Sequence, residues 1–409
     1  MAKWIWTMRA YNLDGGGLTA LSYDPDLPAT NEIRHADDRR FTMHLNGVDE
    51  LGFTLYLDDP MALNIRRLKT VVKLWREVQD DDGNILFSNG ASSPAFAGVV
   101  GWTHKDGNSN QMQIKCYSPL WRLQSRFHIL NHYLNINPNT GSPYKQSELM
   151  WRLIQMVNGA FGVDSRTGIV QGTFAWPGEP TVAPYFVAKG SNTWSNIFDD
   201  LMVRPSSPDI YPDYVHDGTY RLMEFSTDQR RGADVSASVK FNYHTDPEGA
   251  TPANLENMSE EEMPSPGDFA NYVWAVGQGG PNSGKIAKRE NTSAAANSDG
   301  YGEIGIYMAR VDRNEIKRLA ALGPIADAEL AQRKVPKSAY TVTLSPAAEL
   351  YYGSDFVMGD VVALNADKGA LQVTNKKQRI YQVELVMSAN NMETPNVLVA
   401  NDFYGKVAA

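Results

Sequence analysis

The sequence predicts a β-dominated α+β fold, and three observations predict it. From Arg40 to Leu120 apolar and polar residues alternate through successive segments with tight turns between them. A second alternating block restarts at Tyr340 and runs to Ala400. Helical periodicity and turn-rich stretches lie between the two, so the strands gather at both ends of the chain.

In chain order, Trp4, Trp6 and Met8 alternate with Ile5, Thr7 and Arg9, which suits a first strand covered on both faces. Gly15-Gly16-Gly17 breaks it, and the proline-containing, charged stretch from Asp24 to Arg40 reads as a connector. Three hairpins follow. Phe41, Met43 and Leu45 share a face, Asn46-Gly47 offers a positive-φ turn, and Leu51, Phe53, Leu55 and Leu57 resume the period of two. Asp58-Asp59-Pro60 ends that run. Val71 to Val78 and Ile85 to Phe87 flank an acidic turn, and Phe96 to His104 and Gln111 to Tyr117 flank Lys105-Asp106-Gly107-Asn108. Three hairpins in so short a span suggest a small barrel or sandwich.

The middle turns helical. Pro119 suits the first turn of a short helix presenting Leu120, Leu123 and Phe127. Gln146 to Asn158 predicts an amphipathic helix burying Leu149, Leu153, Met156 and Val157, stopped by Gly159. Gly168 to Pro184 is rich in turn residues, with Phe174 and Trp176 as apolar anchors. Ser191 is a good N-cap for a helix carrying Trp194, Ile197, Phe198, Leu201 and Met202 on one face, ended by Pro205, Pro208 and Pro212. Tyr220 to Phe225 then alternates as a strand.

Asp246 to Asp268 scatters prolines and glycines among acidic residues and reads as a solvated excursion. Strands are expected at Tyr272 to Val276 and Ile304 to Val311, and short helices at Glu315 to Leu322 and Ile325 to Arg333, separated by Gly323-Pro324. Tyr340 to Leu344, Val361 to Asn365, Gln378 to Met387 and Asn396 to Ala400 complete the β-structure.

At 409 residues the chain exceeds what one hydrophobic core normally serves, and 42% apolar residues can fill more than one. A net charge of −9 and a pI near 5.4 argue against a general nucleic-acid binder. The single Cys116 has no intramolecular partner and reads as a small buried apolar residue, leaving the redox compartment open. No signal peptide and no 18-residue apolar run is seen, so neither export nor a membrane span is expected.

Two segments carry a family resemblance. Leu55-Tyr56-Leu57-Asp58-Asp59-Pro60, the strands after it, and Cys116-Tyr117-Ser118-Pro119-Leu120 running into a helix resemble the opening domain of tail-hub proteins from tailed bacteriophages. Tyr351-Tyr352-Gly353-Ser354-Asp355-Phe356 with the Gly359-Asp360-Val361-Val362 turn is similar to a later hub element, followed by a strand like Arg379 to Met387. The resemblance implies two tail-tube-like β-barrels: residues 1–118 as the first, 119–184 as a mainly helical insert, 185–245 plus 335–409 as the second, and 246–334 as an α+β excursion with mobile loops. It also implies a homotrimeric, non-enzymatic hub in the virion at the distal end of the tail. Its expected partners are the tail tube or distal tail protein, the tape measure protein and tail fibre or receptor-binding proteins, with DNA passing through a central channel. The competing readings are a tail-associated cell-wall hydrolase and a receptor- or carbohydrate-binding tip protein.

No cofactor or metal is expected, and no residue is assigned a catalytic role. Gly279 to Lys285 fits G-x-x-x-x-G-K after a strand, but Ile286 replaces the Mg²⁺-binding Ser or Thr, Pro281 removes a backbone donor, and no apolar helical face follows. His128 and His132 share the i, i+4 spacing of metal ligands on a helix, yet Ile129 stands where a zinc protease needs Glu. Asp199-Asp200, or Glu224 with Asp228, are carboxylate pairs of the kind a chain with 47 acidic residues produces by chance. Nineteen tyrosines and nine tryptophans suit interfaces and cores equally.

Overall fold

In the computed structural model, described at residues 3–14, 17–21, 31–80, 82–124, 132–134, 136–159, 167–179, 181, 185–187, 207–217, 220–243, 252–262, 269–279, 285–291, 307–312, 318–334, 338–388 and 391–401, β-strands dominate. Strand β1 (Lys3–Asp14) turns Trp4, Trp6, Met8 and Ala10 inward, each under 10% exposed, and pairs antiparallel with β2 (Gly17–Ala20). The first predicted hairpin is β3 (Asp37–His44) and β4 (Glu50–Tyr56), turned at Asn46 with φ 64°. Helix α1 (Pro60–Asn64) stops it, its N-cap Asp59 accepting from the Met61 N–H at 2.7 Å with Pro60 at the first helical position. The second and third hairpins are β5 (Thr70–Gln79) with β6 (Ile85–Ser88), and β7 (Phe96–Asp106) with β8 (Gln111–Tyr117).

Helix α2 (Trp121–Gln124) follows, with Leu120 and Leu123 fully buried. After β9 (His132–Leu134) comes α3 (Gln146–Gly159), which buries Leu149, Met150, Leu153 and Ile154 and stacks Trp151 on Phe225 at 6.3 Å. The turn-rich stretch after Gly168 instead contains a strand, β10 (Ile169–Phe174). Gly172, which looks like a turn residue, is there for close approach: a Cβ on it would lie 2.3 Å from Ser226 Oγ. Next come β11 (Tyr185–Val187), β12 (Asp209–Tyr214), β13 (Met223–Asp228) and β14 (Lys240–Asn242). Of these only β14 pairs with a C-terminal strand; β13 lies between β10 and β12, with Pro212 on the outer strand, where its missing N–H is harmless, and β11 pairs with β9. The helix expected at Ser191 to Met202 lies outside the described residues.

Part of the solvated stretch expected at Asp246 to Asp268 is instead a strand. Residues Leu255–Glu262 form β15, an outer strand of the main sheet; Leu255 and Met258 point inward, and the glutamates mark a strand with one open side. Then β16 (Tyr272–Val276), β17 (Ile286–Glu290) and β18 (Met308–Asp312) form a three-stranded sheet in the order β17-β16-β18. The two short helices expected around Gly323-Pro324 are one, α4 (Leu319–Arg333), with Pro324 inside it. Pro324 forfeits a single backbone bond early in a fifteen-residue helix, and packing of Leu322 and Ala326 outweighs that loss. This small α+β module has its own core of Ala270, Val273, Ala275, Ala287, Leu322 and Ala326.

The chain ends with β19 (Ser338–Leu344), β20 (Val361–Lys368), β21 (Leu371–Met387) and β22 (Glu393–Ala400). The main sheet has fourteen strands, with the path β15-β19-β22-β21-β3-β4-β8-β7-β5-β1-β2 and with β20, β14 and β6 as side pairings. Strand β21 is the link between the two blocks: its first half pairs with β20, its second half with β22 on one side and β3 on the other. Below the sheet one contiguous core runs from Trp4 to Ala400 and includes the edge-to-face pairs Phe41–Phe96 and Phe241–Phe356, both at 5.5 Å.

Candidate functional site

Three buried polar clusters sit where the N-terminal strands meet the later ones. In the first, Arg76 of β5 donates from Nε and Nη2 to Glu393 of β22 at 3.1 and 2.7 Å, and Trp6 Nε1 donates to the same carboxylate at 2.8 Å. The guanidinium lies near the rings of Trp4, Phe87 and Tyr352, 4.8 to 5.7 Å from their centroids. With side chains 2% and 0% exposed, this is a desolvated bidentate pair spanning the whole chain.

The second cluster holds the segment before Gly232. Asp209 accepts from Arg379 Nη2 and from the Arg231 N–H, while Arg379 also donates to the carbonyls of Arg231 and Gly359. Asn46 ties the β3–β4 turn to the same place, accepting from the Ile210 N–H at 2.6 Å. Gly232, at φ 87°, passes so close to Gly359 and Asp360 that a Cβ would sit 2.3 Å from their backbone. Asp360, in the Gly-Asp turn that carries the family resemblance, accepts from the Ala233 and Val357 N–H groups at 2.7 and 2.8 Å. In the third cluster, Asp49 accepts from Tyr214 Oη at 2.6 Å and from the His44 N–H at 2.9 Å. Burial raises the Asp49 carboxyl above the usual carboxylate range and pushes Tyr214 well above the usual phenol.

These clusters surround a cleft of about 490 Å³. Phe41, Ile210 and Met358 give it apolar walls; His44, Asn89, Asp213 and Arg231 supply polar groups. The Arg231 guanidinium lies 4.0 Å from the Tyr211 ring centroid and forms no salt bridge among the described residues. Nearby on the same sheet, fully buried Lys73 donates to the Val215 carbonyl at 2.9 Å and meets His216 Nδ1 at 3.1 Å. Desolvation brings the Lys73 ammonium down to about 8, and burial followed by the Lys73 and Arg9 charges lowers His216, so neutral His216 accepts through Nδ1.

The motif residues of the sequence scatter away from these clusters. Gly279, at φ 92°, and Lys285 flank a connection between antiparallel β16 and β17; Ile286 starts a strand where a phosphate cradle needs a helix N-terminus, and residues 280–284 lie outside the described ones. His132 opens extended β9, and His128 lies outside the described residues. Glu224 and Asp228 sit four positions apart on β13, roughly 13 Å at the rise of a strand, wider than either glycosidase geometry. Asp199 and Asp200 lie outside the described residues. Cys116 is fully buried in β8, its thiol raised by desolvation. Among the described residues no group of three or more His, Cys, Asp or Glu is placed to hold a metal, and no helix is long and apolar enough to cross a membrane.

The residues that do converge, Arg76, Glu393, Asp209, Arg379 and Asp49, were missed in the sequence. For Arg76 and Glu393 the signal is a charge on the inward beat of an alternating strand: Val72, Leu74, Arg76, Val78 in β5, and Glu393, Pro395, Val397, Val399 in β22.

No family model matches the sequence, and no curated protein matches it. Solved structures do. The tail protein from Neisseria meningitidis MC58 superposes with a TM-score of 0.57 at 12% identity, over 98% of each chain. Prophage tail protein gp18 from Listeria monocytogenes EGD-e gives 0.54 at 11% identity, over 97% of this chain and 95% of that one. The chain has the fold of prophage tail proteins. The 43 kDa tail protein of prophage MuSo2 from Shewanella oneidensis shares this tail-protein fold at 0.51 and 12% identity, over 97% and 98%. At such identities the likeness is one of fold, and the roles of side chains in the tail-protein fold must come from the contacts above.

Proposed function

We propose that the chain is a structural, non-enzymatic component of a phage tail: the hub at its distal end, joining the tail tube to the tip and adsorption apparatus around a channel for DNA. The observation that carries this reading is the full-length match to tail proteins, which leaves almost no part of either chain unaccounted for. Two strand-rich blocks joined at β21 and β3 support a two-barrel organisation, residues 1–118 giving one barrel and residues 185–245 plus 335–409 the other. Three copies then present six barrels, so a threefold ring can meet a sixfold tube. Outer strands such as β15 are the elements that neighbours in such a ring cover. A net charge of −9 per chain suits a lumen that passes DNA without holding it. Its partners in this reading are the tail tube or distal tail protein, the tape measure protein and the tail fibre or receptor-binding proteins, and its place is the virion.

The test is electron microscopy of the purified chain at high concentration, and of intact tails carrying a tagged copy. A ring-shaped trimer with a central channel, labelled at the tail tip, is expected. A monomer absent from tail tips overturns the hub reading, a hexamer overturns the two-barrel argument, and turnover of labelled peptidoglycan overturns the non-enzymatic part.

A further inference from the structure

Polar atoms on three residues that line the cleft between the clusters are unpaired among the described residues. Arg231 Nη1, His44 Nδ1 and Asn89 Oδ1 are buried on residues that line it, and none has a hydrogen-bond partner among the described residues. Native folds leave few such atoms, and three of them belong to residues around this one cleft. The segment carrying Arg231 is also fixed in advance. Its N–H is held by Asp209 and its carbonyl by Arg379, and Gly232 is locked against Gly359.

We infer that this cleft is a binding site for a peptide segment that presents one carboxylate beside an apolar side chain. The charge inventory selects the ligand. Arg76 is paired with Glu393 and Arg379 with Asp209, which leaves Arg231, among the described residues, as the cation at the cleft without a carboxylate partner. Asp213 lines the same space, so the several charges of a polyphosphate or a nucleic-acid backbone exceed what one cation offsets, while Arg231 above Tyr211 balances a single carboxylate. The walls of Phe41, Ile210 and Met358 take an apolar group next to that carboxylate, and the volume falls in the range of about 300–1,000 Å³ that ligand pockets occupy. Asn89 Oδ1 is an acceptor and calls for an N–H donor. A peptide amide supplies one; a small amphiphilic carboxylate does not. The site stands apart from the hub reading, since it requires no particular oligomer.

Calorimetric titration of the full chain distinguishes the cases, with acetyl-Leu-Asp-Leu-amide, its Asn counterpart and octanoate as probes at up to millimolar concentration. The Asp peptide is expected to bind about tenfold or more tightly than the Asn peptide, and more tightly than octanoate. Arg231→Gln should erase the difference between the two peptides. Asn89→Ala should weaken both peptides while leaving the preference for Asp. Equal affinity for the two peptides, octanoate binding as well as the Asp peptide, or no binding by any probe overturns the assignment.

Discussion

In the main sheet Arg76 and Glu393 meet with side chains 2% and 0% exposed, whereas in the small module Arg289 and Asp327 meet with side chains 39% and 57% exposed. The surroundings differ in the same sense. The large core interlocks Trp4, Phe41, Phe96, Tyr214 and Tyr340 under fourteen strands, while the module buries mostly alanines between three strands and α4. An ion pair therefore means different things in the two places. In the sheet, water is excluded and each charge depends on its partner; at the module surface, water solvates either partner alone. The difference teaches that the join between the two strand blocks is the part of this molecule least able to lose one side chain.

The largest expected effect tests that point. Glu393→Gln keeps the shape of the side chain but leaves Arg76 charged and unpaired, at a cost of about 3–5 kcal/mol. Urea unfolding of the variant checks it. Replacing both partners together, Arg76→Met with Glu393→Leu, should restore most of the loss, because no charge is then stranded. A single variant as stable as the parent would show that the pair is hydrated and that the contrast with the module is unfounded.

A smaller effect is expected in the module. Leu322 is its largest fully buried side chain, and Leu322→Ala should cost at the lower end of the about 2–5 kcal/mol seen for such truncations, since neighbouring alanines leave little shape to preserve around it. The loss should also be local. Hydrogen exchange should speed up in β16, β17 and α4 while β21 and β22 stay protected. Equal loss of protection in both regions would mean that the two cores unfold as one.

The strands of the large core were readable in the sequence because their faces differ in polarity. Phe41, Met43 and Leu51 to Leu55 mark an inside, and Asn46 marks the turn between them. Helix α3 was readable for the same reason at a different period. Strand β15 was not, since an outer strand needs only Leu255 and Met258 inward, and its glutamates gave it the composition of a linker. Strand β10 was hidden by Gly172, whose reason is the approach of β13 from more than fifty positions away. The polar clusters were the least legible part. Arg76 looks like an ordinary surface charge until β22 brings Glu393 to it across the whole chain, and Asp209 until β21 brings Arg379. Sequence periodicity reports which face a residue is on; it does not report what arrives there.

The smallest effect belongs to Arg289→Ala. Arg289 donates to Asp327 across the module, from β17 to α4, and the pair looks like a clasp holding the helix on the sheet. Both groups are open to solvent, so water replaces each partner, and the long Arg289 side chain regains the freedom that the pairing took from it. The helix should remain docked through Leu322 and Ala326. The unfolding midpoint and the exchange pattern of α4 are expected to match the parent, including at high salt, where an exposed pair would already be screened. Faster exchange throughout α4 in this variant would show that the clasp, and not the alanine-rich core, holds the module together, and would remove the contrast with Arg76.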